Sequence, residues 1–287
     1  MAQVGFGFLD RPAVTEQLRL AVKAEALGYA SLWVTETRLA RDAISVLGAM
    51  AAKTDQIQLG SAIVNTWTRG PALMATTFAT LDNLAPGRIN LGLGAYWDPL
   101  AWKQGIARAA PLRQMREYID VVRRLLSLEE GVTFESDLIK VRDLTLDLGH
   151  EDPRIAPDIK IFVGATGPRM MELTGEIADG VLMNGILPPA HTRRSLERLA
   201  KGASRAGRTL EQIRKLQLVN ISMSNDVETA RFDAKRLVTQ YLGQQPHFSK
   251  ALAFPEHQLE KIKQGMGGWP PRPGGIEEGL LYTTPRP

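Results

Sequence analysis

No cysteine occurs in the 287-residue chain, which removes disulfides, thiolate metal sites and a cysteine nucleophile from consideration. Histidine is almost as scarce. The four present, His150, His191, His247 and His257, have no metal-ligand spacing, so neither a bound metal nor a serine-histidine triad is expected. Long apolar runs are missing as well. No stretch approaches the ~18–20 uninterrupted apolar residues of a membrane span, and the opening MAQVGFGFLDRP lacks the basic and apolar regions of a signal peptide. A cytoplasmic protein with no membrane partner is expected. Nor is there a strong excess of charge: 35 basic against 31 acidic residues leave +4, with the basic side chains spread along the chain rather than clustered with aromatics. Nucleic acid is therefore not the expected partner.

What remains is the composition of an ordinary folded chain, 44% hydrophobic and 23% charged. Its length admits two small domains or one α/β barrel, since barrels run to roughly 200–250 residues as a single domain. Short apolar runs recur at QVGFGFL (3–9), ASLWVT (30–35), IQLGSAIVN (57–65), RINLGLGA (88–95), IKIFVGA (159–165), DGVLMNG (179–185) and LQLVNISMS (216–224). They are nearly continuous rather than alternating, as in strands buried on both faces of a helix-covered parallel sheet. Segments of helical period separate them. Leu18, Ala21, Val22 and Ala26 share a face in a segment stopped by Gly28, and Pro111 opens another that carries Met115, Ile119, Val122 and Leu126. Leu196, Leu199 and Ala203, then Ala230, Ala234, Leu237 and Tyr241, mark two more.

Alternating strands and helices predict repeated βαβ units, wound as an open doubly wound sheet or as a closed eight-stranded barrel. Residues 130–155 break the rhythm and predict a small hairpin insertion after the fourth helix, with VTF and LIKV as its strands. The last segment, 243–287, ends in GGWPPRPGGIEEGLLYTTPRP and shows no strand-helix unit. An α/β domain over 1–245 and an atypical C-terminal extension over 246–287 are therefore expected.

Four stretches carry chemistry. LGLGAYWDP opens like a dinucleotide fingerprint but has Trp97 at the third glycine position, and the helix is not expected until well past Pro99. It reads either as sheet packing by Gly92 and Gly94 or as a strand end presenting Ala95, Tyr96, Trp97 and Asp98 at a barrel mouth. In VGATGPRMMELTGEIADGVLMNG no GK[ST] follows, so this is not a P-loop, but Pro168 suits the first position of a helix. The N–H groups of Ala165, Thr166 and Gly167 would surround that helix N-terminus, and Asn184 and Gly185 end the next strand on the same rim. Two such turns on adjacent strands point to a phosphate. SAIVNTWTRGP places Asn65, Thr66, Thr68 and Arg69 at a strand's C-terminal end, for chemistry or for helix capping. Glu36, directly after ASLWVT, is either a site carboxylate or the partner of Arg38 or Arg41.

Together GATGPRMMELTGEIADGVLMN, TWTRGPALMATTFATLDNLAPGRINLGLGA and LGYASLWVTE resemble the bacterial luciferase-like superfamily over about residues 3–245. Within it they are most similar to the branch that uses the deazaflavin coenzyme F-420, typified by methylene-tetrahydromethanopterin reductases. The resemblance implies a (β/α)8 TIM barrel with an insertion after strand 4, binding the coenzyme at the C-terminal rim. It implies that Ala165, Thr166, Gly167, Asn184 and Gly185 hold the coenzyme's phosphate, and that a non-proline cis peptide at Ala62-Ile63 props the ring. It further implies that Glu36, Asn65, Arg69, Gly94 and Ala95 line the same cavity. The implied reaction is hydride transfer to or from a small organic substrate in a homodimeric enzyme. Glu36 would supply a polar or acidic group, and Trp97 and Tyr96 the substrate-side walls. An FMN-dependent monooxygenase of the same fold and a non-catalytic flavin-binding paralogue are the alternatives. Three departures put the pterin substrate in doubt: Leu9 stands where the archaeal reductases carry a carboxylate, with Asp10 beside it; Thr37 replaces a histidine; and Ala95-Tyr96-Trp97 replaces a glycine-rich turn. The family's eighth strand and helix are not evident, with GLLYT (279–283) the only candidate strand near the end.

Overall fold

A computed structural model describes residues 3–8, 12–37, 39–149, 156, 158–244, 249, 252 and 254–265. By their contacts they form two compact units, one of Met1–Leu182 with Arg198–Leu216, the other of Met183–Glu197 with the residues from Gln217 onward.

The first unit is built on strands β1 (Gly5–Phe8), β2 (Ser31–Val34), β3 (Gln58–Ser61), β4 (Val64–Asn65) and β5 (Ile89–Gly94). After the hairpin β6 (Val132–Glu135) and β7 (Lys140–Leu144), the sheet resumes with β8 (Lys160–Gly164), β9 (Gly180–Met183) and β10 (Arg214–Gln217). The sheet order is β1-β2-β3-β5-β8-β9-β10, with β4 also on β5, and the pairs from β1 to β9 are parallel. Each strand is laid beside its predecessor, without the reversal that defines a doubly wound sheet. This is the winding of a (β/α) barrel, and it settles the alternative that the pattern of runs had left open. β6 and β7 pair antiparallel, as expected of the insertion. GLLYT lies outside the described residues.

Helices α1 (Val14–Ala26), α2 (Ala43–Ala51), α3 (Pro71–Leu84), α4 (Asp98–Lys103), α5 (Pro111–Leu126), α6 (Pro168–Ile177) and α7 (Pro189–Arg205) connect the strands. Proline opens α3, α5 and α6, where its missing N–H would have had no intrahelical acceptor. The core between α3 and α5 is closed by Met74, Phe78, Met115 and Tyr118, all fully buried. All six residues of β5 are buried. A Cβ on Gly92 would lie 1.9 Å from the Ser61 carbonyl, and one on Gly94 2.2 Å from Ile63 Cδ1. Close packing thus explains the glycines of LGLG.

Four expectations are corrected. α1 buries Gln17, Ala21 and Ala24, leaving Val22 exposed, because its inner face is rotated from the one drawn through Leu18 and Val22. The last predicted strand is only Arg214–Gln217, and the segment at 218–224 forms none. A short helix, α4, begins at Asp98 rather than well past Pro99. In the second unit, α8 (Val227–Gln244) buries Thr239 and Leu242 and exposes Ala234. There Leu242 and Val238 pack with Ile262 of α9 (Glu256–Gly265), a helix within the segment expected to be an atypical extension.

Before the N-terminal ends of the strands, carboxylates accept from backbone amides. Glu25 of α1 receives the N–H groups of Asp55, Gln56 and Ile57 at 2.8–3.2 Å, fixing the turn into β3. Buried Asp82 of α3 receives Gly87 N and Ala156 N, each at 3.0 Å. Asp179 receives Ile161 N at 2.8 Å and faces Arg123 at 3.2 Å.

Candidate functional site

At the opposite strand ends the first unit carries a cavity of about 430 Å³, within the ordinary range of small-molecule sites. β2 delivers Thr35 and Glu36, and β4 delivers Asn65. The Asn65 side chain organises the next turn: Oδ1 accepts from Trp67 N and Thr68 N at 2.9 Å, and Nδ2 donates to Thr68 Oγ1 at 2.9 Å. That turn aims Arg69 back across the cavity.

Arg69 donates from Nη1 and Nη2 to the two oxygens of Glu36, each at 2.8 Å, and also bonds Asp42. Hydrogen bonding to Glu36 raises the Arg69 pKa above its usual value. The Arg69 carbonyl accepts from the buried Tyr118 hydroxyl at 2.8 Å, and burial pushes the Tyr118 phenol up. Asp42 caps α2, accepting from Ser45 N at 2.7 Å and Ser45 Oγ at 2.6 Å. Burial works to raise the Asp42 carboxyl, but the bonds from Ser45 and the charge of Arg69 hold it below its usual value. Both oxygens of Glu36 thus accept from a guanidinium 33 positions away rather than from Arg41, Oε1 also accepting from Ala43 N at 3.4 Å, and Arg38, Leu9 and Asp10 lie outside the described residues.

Of the sequence candidates, Glu36, Asn65, Thr68, Arg69 and Tyr96 line the cavity. Trp97 does not; it is the N-cap residue of α4. Ala95 is not among the lining residues either, and its carbonyl accepts from Trp67 Nε1 and Arg108 Nε. The Ala62-Ile63 peptide is cis. The Ile63 side chain lies over Gly94 and Gly164, so these three form one surface. Residues that sequence reasoning missed are Asp42 and Tyr118. The first had a signal, Asp42 three positions before Ser45, the spacing of an N-cap.

The glycine turn after β8 is partly committed. Ala165 N donates to Leu182 O at 3.3 Å, whereas the amides of Thr166 and Gly167 find no backbone acceptor among the described residues. Gly167 caps α6 with no side-chain bond, and nothing lies within 4 Å of where its Cβ would be. That helix N-terminus is therefore open to an anion. Asn184 and Gly185 belong to the second unit, where Gly185 N is taken by Asn184 Oδ1 at 2.7 Å and the Asn184 carbonyl by Gln217 Nε2 at 2.6 Å. No helix among the described residues is long and apolar enough to cross a membrane.

The model of the luciferase-like monooxygenase family matches residues 3–269. A 5,10-methylenetetrahydromethanopterin reductase of Methanolobus tindarius is 31% identical over 82% of this chain and 69% of its own. An F-420-dependent glucose-6-phosphate dehydrogenase of Microbacterium testaceum is 30% identical over 75% of this chain and 66% of its own. Among solved structures, the coenzyme F-420-dependent tetrahydromethanopterin reductase from Methanopyrus kandleri superposes with a TM-score of 0.81 at 26% identity, covering 97% of this chain and 84% of that one. The chain belongs to the luciferase-like monooxygenase family.

Proposed function

We propose, from that membership, that the chain is an oxidoreductase moving a hydride between coenzyme F-420 and a small organic substrate. The observation that carries this reading is the likeness, along most of the chain, to relatives of which two are named as F-420-dependent although their substrates differ. The residues present fit the coenzyme. The open amides of Thr166 and Gly167 at the α6 N-terminus suit the phosphate of its tail, where the helix dipole favours negative charge. The surface of Ile63, Gly94 and Gly164 suits the back of a planar ring.

The coenzyme, when bound, supplies two-electron hydride chemistry at the ring carbon that replaces the central nitrogen of a flavin. The chain's own part is positioning. Arg69, clamped by Glu36 and Asp42, fixes the rim of the cavity. Glu36, with both oxygens accepting from that guanidinium, acts by holding it. Asn65 keeps the preceding turn in place, and Tyr96 forms a wall on the substrate side. A fixed rim of this kind favours hydride transfer by orientation. The same reading makes the chain cytoplasmic and a homodimer, and light scattering of the purified protein would check the second.

Titration with F-420 and with FMN, followed by absorbance, tests the proposal. Saturable F-420 binding with hydride exchange is expected; FMN binding without F-420 binding overturns it. Gly167→Pro sharpens the test. The Gly167 φ of −76° accommodates proline while the substitution deletes one donor, so F-420 affinity should fall about tenfold with the fold intact.

A further inference from the structure

We infer that the substrate of this cavity carries a carboxylate or phosphate group and that Arg41 receives it. Four charged side chains line the cavity: Glu36, Arg41, Asp42 and Arg69. Three are committed to one another. Arg69 spans both oxygens of Glu36 and reaches Asp42, whose Oδ2 is occupied by Ser45. Arg41 is the remaining cation. Its Nε is buried without a hydrogen-bond partner, and among the described residues no carboxylate pairs with its guanidinium. A guanidinium N–H shielded from water is unfavourable until an acceptor reaches it, and the planar fork of arginine matches an acceptor with two oxygens. The two acidic neighbours are already turned toward Arg69, so the matching oxygens come from whatever fills the cavity.

This inference rests on the F-420 reading, which places the coenzyme's phosphate at the α6 N-terminus. None of residues 164–168 lines the cavity of Arg41. The coenzyme's anionic tail and the anion at Arg41 therefore occupy different places, and the second belongs to the substrate. An anionic carbonyl compound or alcohol is the substrate class that fits.

The experiment uses the full chain, with inorganic phosphate as probe at constant ionic strength and saturating F-420. Phosphate should bind saturably. Arg41→Gln should weaken that binding about tenfold or more, Arg41→Lys should fall between the parent and Arg41→Gln because it keeps the charge but loses the fork, and the F-420 affinity of both variants should stay within about twofold of the parent, because only the substrate subsite is altered. In the unsubstituted chain, phosphate should also slow the modification of Arg41 by phenylglyoxal, read by peptide mass spectrometry. Phosphate binding that survives Arg41→Gln, or no protection of Arg41, overturns the inference. A parallel loss of F-420 affinity assigns Arg41 to the coenzyme tail and overturns it as well. Should the chain bind no F-420 while Arg41-dependent phosphate binding persists, the coenzyme reading fails and the anion subsite stands.

Discussion

At the N-terminal ends of the strands Glu25, Asp82 and Asp179 accept hydrogen bonds from backbone amides, whereas at the C-terminal ends Glu36 and Asp42 close on the guanidinium of Arg69. The same side-chain chemistry is used for two purposes. A carboxylate that satisfies amides of a turn fixes the backbone entering a strand, and its loss leaves donors unmet in the interior. A carboxylate that holds a side-chain cation at a cavity rim fixes a functional group, while the backbone beneath it is held by other means. In barrels this division separates the stabilising end from the reactive end.

The comparison breaks if variants at the two ends behave alike. The largest effect on stability is expected from Asp82→Ala, which strands the amides of Gly87 and Ala156; chemical denaturation should show a loss of about 2–4 kcal/mol. F-420 affinity, measured at low temperature where the variant remains folded, should not change.

Glu25→Gln should cost about 1–2 kcal/mol, because Oε1 alone accepts from all three amides and a neutral amide oxygen accepts less strongly than a charged carboxylate oxygen. It should also change the pH dependence. Burial works to raise the Glu25 carboxyl, but the amides of Gln56, Ile57 and Asp55 and the charge of Arg88 outweigh it and hold the pKa below its usual value. The stabilisation is therefore complete above the unfolded pKa of about 4.3 and is lost as pH falls through the folded value. Denaturation midpoints between about pH 5 and 3 should fall less steeply in Glu25→Gln than in the parent. Asp82 has the opposite sign: burial raises its pKa, so its contribution becomes less favourable as pH rises above its unfolded value.

The smallest stability effect is expected at the rim. Glu36→Gln should lower the melting free energy by less than about 1 kcal/mol, the range of a partly exposed ion pair. Hydride transfer should nevertheless fall about tenfold, since Arg69 loses its bidentate hold. Unchanged turnover would remove Arg69 and Glu36 from the working site.

How much of this was legible beforehand follows the sequence distance of each interaction. Continuous apolar runs such as RINLGLGA predicted strands buried on both faces, and β5 is fully buried. Pro71, Pro111 and Pro168 open helices because the proline ring suits that position locally. Helix faces were less legible: the inner face of α8 is set by Ile262 of α9, which turns Leu242 inward and leaves Ala234 exposed. The partner of Glu36 could not be read from its neighbours, because Arg69 reaches it only once β2 and β4 stand in one sheet.

By itself the sequence determined the alternation of strands and helices, the hairpin insertion and the glycine turn before α6, since each follows from preferences that act over a few residues. Tertiary structure alone decided which carboxylates hold backbone and which hold Arg69, and that among the described residues no carboxylate pairs with Arg41 in the cavity. Those outcomes depend on charges many positions apart in the sequence meeting at one cavity rim, and no local preference encodes that meeting.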